Sequence, residues 1–497
     1  MARLGKTSLS KITRDLTQAA REGQLAPAFG MDKMLFDALQ VLMRKDRKNL
    51  LLVGEPGVGK GKFAHGLAWA GIQGGETGND LFNYSVLELD LPTLVSSAPD
   101  AEGGVVQSLL HFLKASPHVI LFVNGIGPAL NEEAKEPWAV QIAEMLGGAI
   151  RRAEVTCVGT LTPGAYEALT AQDASLADDF EVIRMNPRSR EQTLELLDQL
   201  RPHLEEQHDV GVGMRALNAA IAFTEEFMPD KCLPGKAVEV LDQACARYKL
   251  KVAAKQNFPD MVEEASFRLL GREVGPHDVM RVVARNTKAD VEASAKKWKT
   301  KLAQRLLQDV PGQNDAIIRL ANSLVQLRMG FAEPYGPAGV LLFCGPQGGG
   351  KVQTAEALAR TLGGSSGRMP VLDMADYADE GAGERLLSPG AEGGLLIMAT
   401  PPEKAPFSIA VLAHADKADA SVFDALLPIW ETGVLEGEGG APVSFRRCLF
   451  VITYDFVVEG PDQQGYMKQL RHALLQQMKP EMPQLIYSVV FFRGPAS

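Results

Sequence analysis

Two lysines carry the most legible chemistry in this chain. Lys60 sits in the run GEPGVGKG, Gly54 to Gly61, and Lys351 in the run GPQGGGKV, Gly345 to Val352. Glycines at Gly54, Gly57 and Gly59, and again at Gly345, Gly348 and Gly350, let backbone N–H groups turn toward a phosphate. The helix that follows each run adds its positive end. A lysine at that spacing reaches the outer phosphates, so the chemistry is nucleotide binding, with ATP or ADP as the fitting cofactor and the first loop the better of the two. Each lysine should be followed by a Ser or Thr hydroxyl that holds Mg²⁺. Gly61 and Val352 stand there instead. Gly61 still counts with the binding loop, but the Mg²⁺ question stays open.

Hydrolysis also needs a carboxylate pair at the end of a neighbouring strand. After VILFV come Asn124 and Gly125, and after SIAVL come Ala413 and His414. Neither place holds an acid. Glu132, Glu133 and Asp416 lie nearby in sequence and read as surface acids, and no residue in the sequence is placed to partner His414 as a base. No catalytic residue and no metal ligand is assigned.

The elements that position these loops repeat. NLLLVGEPGVGKGKFAHGLAWA and GVLLFCGPQGGGKVQTAEALARTL each read as strand, glycine turn and helix, about 290 residues apart. Further buried-strand candidates are VILFV and VTCVGT in the first half, and PVLDM, SIAVLA and CLFVIT in the second. Short apolar runs alternating with helical stretches predict an α/β fold with parallel sheets covered on both faces. From Pro187 to Leu250 the apolar spacing is helical throughout. The expected division is 1–186 for a first α/β domain, 187–256 for a helical subdomain, 257–305 for a helical linker with a solvated basic face, and 306–497 for a second α/β domain.

Composition narrows the function classes. The 497 residues suit about three domains. A net charge of −10 argues against nonspecific nucleic-acid binding. No apolar run approaches the roughly 20 residues of a membrane helix, and the start lacks the apolar core of a secretory signal. Five scattered cysteines form no CxxC pair, which favours buried thiols and a reducing, cytoplasmic setting.

These segments resemble the Clp class of AAA+ ATPases, in its ClpB-like and secretion-associated ClpV-like forms. The likeness lies in ITRDLTQAAREGQLAPAFGMDKMLFDALQVLMRKDRKNLLLVGEPGVGKG, CVGTLTPGAYEALTAQDASLADDF, KCLPGKAVEVLDQACA, VPGQNDAIIRLANSLVQLRMGFAEPYGPAGVLLFCGPQGGGKV and KADASVFDALLPIWETGVLEGEGGAPVSFRRCLFVIT. The resemblance implies two tandem P-loop AAA+ modules, the first with a helical lid. It also implies an adenine-contacting stretch at Ala28, Phe29 and Gly30, with Val310, Pro311 and Gly312 as its counterpart. Against that family, the amino-terminal substrate domain, the coiled-coil middle domain and the second lid are expected to be missing.

The departures are as informative. Asp178 and Asp179 stand where the family carries arginines that reach a neighbour's nucleotide, a loss on the order of 10³ to 10⁵ in rate. Leu485 stands at the finger position of the second module, and Leu161 and Asp455 at the polar sensor positions. The pore-loop stretches SSAPDAEGG and LLSPGAEGG hold no aromatic. The implied function is a pseudo-ATPase scaffold, adaptor or regulator that keeps ATP or ADP. Its partners would be proteins, a Clp-type ATPase or a type VI secretion component, in a homo- or hetero-oligomeric ring. The alternatives are an active, divergent ATP-dependent unfoldase and a structural relic that binds no nucleotide.

Overall fold

The computed structural model describes residues 9–44, 49–76, 84–97, 104–130, 140, 142–173, 179–257, 273–332, 335–363, 371–387, 408–436, 442–456 and 463–494. The chain divides into two compact units. One comprises 1–207 with 228–239, and the other 208–227 with 240–497.

The first unit is built on a six-stranded sheet. Its strands are β1 (Thr13–Asp15), β2 (Leu50–Val53), β3 (Ser85–Leu89), β4 (Val119–Val123), β5 (Thr156–Leu161) and β6 (Glu181–Arg184), in the order β1-β3-β4-β5-β2-β6. Only β1 pairs antiparallel, with β3. Side chains alternate between two cores. Leu51, Val53, Leu121, Val123 and Cys157 enter one, and Leu50, Leu52, Ile120, Phe122 and Val158 enter the other. Burial on both faces is why these strands read as unbroken apolar runs. Helix α1 (Asp32–Leu42) and helix α2 (Lys60–Glu76) contribute to the second of those cores, with Phe63, Ala64 and Leu67 fully buried.

The second unit begins with helices. A short parallel pair, β7 (Gly211–Val212) and β8 (Glu273–Val274), ties a helical group together. Within that group α3 (Met214–Phe227) packs on α4 (Pro276–Thr287), and Lys251 pairs with Asp278 at 3.0 Å. The helical group therefore continues past residue 256, where a linker is expected. Helix α5 (Val291–Asp309) also differs from a linker. Leu302, Leu306 and Val310 are buried in the same core as Leu320, Leu324 and Leu358, and α5 packs on α6 (Asn314–Arg328) and α7 (Lys351–Gly363). Its basic residues Lys296, Lys297, Lys301 and Arg305 are exposed, as expected.

The second sheet contains β9 (Gly339–Gly345), β10 (Val371–Asp373), β11 (Ser408–Ala413), β14 (Cys448–Asp455) and β15 (Ser488–Phe491). All pairings are parallel, in the order β10-β11-β14-β9-β15. A separate hairpin pairs β12 (Val434–Glu436) with β13 (Pro442–Ser444). Strand for strand, β3-β4-β5-β2-β6 of the first sheet matches β10-β11-β14-β9-β15 of the second. Among the described residues, no helix is long and apolar enough to cross a membrane. Cys157, Cys245, Cys344 and Cys448 are buried, and Cys232 is half-buried.

Candidate functional site

Strand order brings the chemistry together. In the first unit, β4, β5 and β2 are adjacent and parallel, so their C-terminal ends share one edge of the sheet. The loop after β2, the turn after β4 and the end of β5 meet there around an open cleft of about 600 Å³. Gly57, Gly59, Lys60, Gly61, Lys62, His65, Asn124, Thr160 and Thr162 are among the residues that line it, and no described lining residue is a carboxylate.

The loop geometry requires glycine at two places. Gly57 has φ 96°, and a Cβ there would lie 2.7 Å from the Cys232 carbonyl oxygen. Gly59 has φ 107°. The segment after Met228 clasps the loop by backbone bonds. The Cys232 N–H donates to the Pro56 carbonyl at 3.1 Å, and the Gly235 N–H to the Gly57 carbonyl at 2.9 Å. Lys60 Nζ donates to the Gly54 carbonyl and, at 3.0 Å, to that of Glu55. Burial lowers the Lys60 ammonium pKa, and Glu55 and Cys232 oppose that shift. Two of its three N–H donors meet neutral carbonyls, which leaves one for an anion. Gly54 serves through that carbonyl and does not line the cleft. Phe29 does not line it either. Its carbonyl accepts from Arg188 Nη2 at 3.1 Å, beside that of Gly30 at 2.9 Å.

The turn after β4 is anchored by Thr160, which sequence reasoning passed over. Its hydroxyl donates to Asn124 Oδ1 at 2.8 Å and accepts from the Gly125 N–H at 2.9 Å. Gly125 has φ 72°. The second unit repeats the device. The His414 N–H donates to Thr453 Oγ1 at 3.0 Å, and His414 has φ 55°. The threonines are Gly-Thr-Leu and Ile-Thr-Tyr in sequence, and only the strand ends reveal their shared job. His414 also gains a partner that the sequence does not reveal, with Nδ1 3.0 Å from Asp373 Oδ1. Asp416 is half-buried, not a surface acid. Its Oδ1 accepts the Asp455 N–H at 2.9 Å.

The second phosphate loop differs at its lysine. Gly348 and Gly350 have φ 77° and 81°, as a phosphate loop requires. A Cβ at Gly345 would lie 2.6 Å from the Phe492 carbonyl oxygen. Lys351 Nζ donates to the carbonyls of Gly345 at 2.8 Å and Pro346 at 2.7 Å, and lies 2.8 Å from Asp455 Oδ1. Two donors are taken by carbonyls, and the charge is paired with Asp455. The Lys351 side chain is 5% exposed and that of Asp455 22%. Gln313 Nε2 braces the loop, donating to Gly349 O at 3.0 Å and Arg493 O at 2.8 Å.

Register identifies the first-unit counterpart of Asp455. Val53 faces Leu161, and Cys344 faces Tyr454. One place on, Gly345 faces Asp455, so the counterpart is Thr162, not Leu161 as the sequence suggests. Thr162 caps the helix Pro163–Gln172, accepting from the Ala165 N–H at 3.3 Å. Leu161 is a buried cleft wall, and Leu485 packs against the second core. Asp178, Glu132, Glu133 and most of both pore-loop stretches lie outside the described residues.

Comparison with known proteins agrees with this double arrangement. Residues 189–273 match the AAA lid domain, and 336–485 match the AAA domain (Cdc48 subfamily). Chaperone protein ClpB of Oceanobacillus iheyensis is 27% identical over 90% of this chain and 61% of its own length. A ClpA homolog of Fuscovulum blasticum is 30% identical over 90% of this chain and 55% of its own. The chain belongs to the Clp-type family of double AAA+ proteins. It spans about three fifths of the length of the first curated Clp relatives that it matches, 61% for ClpB and for the ClpC/MecB protein of Bacillus subtilis. A solved Hsp104–ADP complex from S. cerevisiae aligns over 98% of this chain and 83% of that one, at 23% identity and a TM-score of 0.49.

Within the Clp frame, the first cleft fits a nucleotide's phosphates. It has a positive-φ glycine loop, two lysines in the lining and room. The second loop fits them poorly, because its lysine already holds an anion. Neither loop follows its lysine with an oxygen-bearing side chain for Mg²⁺.

Proposed function

We propose that this Clp-family protein holds ATP or ADP in its first module without turning it over. It works as a scaffold, adaptor or regulator through contacts with other proteins. One observation carries the reading. The first cleft is lined by Lys60, Lys62 and a glycine loop, and by no described carboxylate. Such a lining attracts a polyanion. Its described lining offers no carboxylate to activate water or to organise a divalent cation. Lys60 and the loop N–H groups would grip the phosphates, Lys62 would add a second positive charge, and Thr160 would hold the Asn124 turn in place. The nucleotide then acts as a structural ligand that stabilises the fold in proportion to its concentration over its Kd.

The proposed partner is another AAA+ subunit, a Clp-type ATPase, with a secretion component as the second candidate. Asp179 supports a protein partner better than a phosphate, since a carboxylate near a polyanion repels it. A second reading is an active, divergent ATP-dependent chaperone. It is favoured by the relatives, one of which is named a chaperone and another a negative regulator of genetic competence.

The deciding experiment is a titration with ATP and ADP, with and without Mg²⁺, run beside a phosphate-release assay. Binding without release, indifferent to Mg²⁺ and lost in Lys60→Ala, is the expected result. Steady Mg²⁺-dependent release that disappears in Lys60→Ala would sink the proposal and leave the chaperone reading.

A further inference from the structure

The second phosphate loop has all the backbone features of a binding loop, and its lysine is nevertheless unavailable. We infer that Asp455 is a built-in counter-ion that occupies the second phosphate site, and that this one residue decides which of the two loops takes a nucleotide.

Geometry carries the inference. The Lys351 ammonium has three N–H groups, and three acceptors surround it: two loop carbonyls and the Asp455 carboxylate, at 2.8, 2.7 and 2.8 Å. A phosphate would have to displace a carboxylate that is already paired, and would meet its negative charge on the way. The carboxylate is itself held in place. Its backbone N–H is bound by Asp416, and the next N–H, of Phe456, donates to the Gly345 carbonyl at 3.0 Å. At the equivalent register position the first module has Thr162, a neutral side chain that leaves the third donor of Lys60 free. The two loops otherwise share their glycine conformations, their helix starts and their threonine-anchored turns. The side chain at this position is the difference that bears on the lysine.

The inference leads to reciprocal exchanges. Asp455→Thr, made in a Lys60→Ala background, frees Lys351 while removing the first site. Thr162→Asp, made alone, introduces the carboxylate beside Lys60. It should fold, because Asp caps a helix at least as well as Thr. The probe is a fluorescent ADP analogue, titrated with EDTA present. The expected results are no detectable binding by Lys60→Ala, binding gained by Lys60→Ala/Asp455→Thr and lost again on adding Lys351→Ala, and at least tenfold weaker binding by Thr162→Asp than by the unaltered chain. Binding by Lys60→Ala that vanishes with Lys351→Ala would overturn the inference, as would Thr162→Asp binding like the unaltered chain.

Amine acylation read by mass spectrometry supplies a measurement on the unaltered protein. Lys351 should resist labelling with or without ADP, and ready labelling of Lys351 that ADP suppresses would overturn the inference. The inference rests partly on the first-site proposal, and the two fail differently. An unaltered chain that binds no nucleotide defeats that proposal alone, while the Lys351 labelling and the gain in Lys60→Ala/Asp455→Thr still test the role of Asp455.

Discussion

Lys60 and Lys351 occupy the same place in two sheets of the same strand order, and they meet different surroundings. Lys60 is half-buried, touches two neutral carbonyls and faces an open cleft. Lys351 is almost wholly buried and neutralised by Asp455. One loop is arranged to receive charge and the other has its charge supplied from within. If Asp455 acts as inferred above, a glycine loop with its lysine does not by itself make a nucleotide site, and what decides is whether the side chain at the end of the adjacent strand gives the lysine an acceptor of its own.

The largest expected effect separates the two lysines by stability. Lys351→Ala leaves the Asp455 carboxylate partly buried and unpaired, and breaking such a pair typically costs 3–5 kcal/mol. Asp455 keeps some exposure, 22% of its side chain, so a loss of about 3 kcal/mol is expected. Lys60→Ala removes a part-buried bond to the Gly54 carbonyl and an exposed one to the Glu55 carbonyl, leaves no charge unpaired, and should cost about 1 kcal/mol. Urea denaturation of both variants without nucleotide checks this. Equal losses would break the comparison.

Next in size is Gly57→Ala. The residue must adopt φ 96°, and its Cβ would press on the Cys232 carbonyl at 2.7 Å. A loss of about 2 kcal/mol is expected, together with weaker ADP binding, because the clasp by Cys232 and Gly235 is disturbed. Gly61→Ala has open space around its Cβ and a helical position. It should leave stability unchanged or raise it slightly. Paired melting curves distinguish the two glycines.

Smaller still is the contrast between the threonine anchors. Thr160 makes two bonds, to Asn124 and Gly125, and Thr453 makes one that is seen, to His414. Thr160→Val should cost about 1–2 kcal/mol and Thr453→Val about 1 kcal/mol. Thermal melts of the two variants test the order. Thr160→Val should also weaken ADP binding, since the turn that it anchors lines the cleft.

How far the residues alone foretold this depends on what kind of information each feature needs. Strands β2, β4, β5, β9, β11 and β14 are legible because both faces are buried, so the whole strand is apolar. β6, with Glu181 and Arg184 at its ends, and the short β1 at the sheet's edge carry no such signal. The buried stripe of α5 was hidden by its lysines, since Leu302 and Leu306 are sparse among them. The phosphate loops are local in sequence and were readable as such. The pairing of Lys351 with Asp455 joins residues far apart in the chain, and needs the register of β9 against β14. The same holds for Asn49, whose side chain bonds the Ile150 carbonyl at 2.7 Å and the Cys157 N–H at 2.9 Å from a buried position.

The smallest effect concerns pH and sharpens the comparison at one helix position. Five residues after each lysine stand His65 and Glu356. Glu356 is half-buried and lies 4.0 Å from Arg360, while His65 lines the first cleft with Nδ1 buried and without a described partner. Burial, then Lys62, then Arg14, hold the His65 pKa down to about 4. The folded protein therefore keeps this imidazole neutral, whereas the unfolded chain takes up a proton near pH 6.5. Below that pH the unfolded state binds more protons, so this contribution to stability is complete above about pH 6.5 and is lost as the pH falls toward about 4. Melting temperatures measured across that window should drop less steeply in His65→Gln than in the unaltered chain. In the unaltered chain a bound ADP places negative charge near Lys62, opposes one cause of the low pKa, and should reduce the slope, with no such effect in His65→Gln. A slope that His65→Gln leaves untouched would mean that other groups set the acid response, and that the imidazole is more exposed to water than its place in the cleft implies.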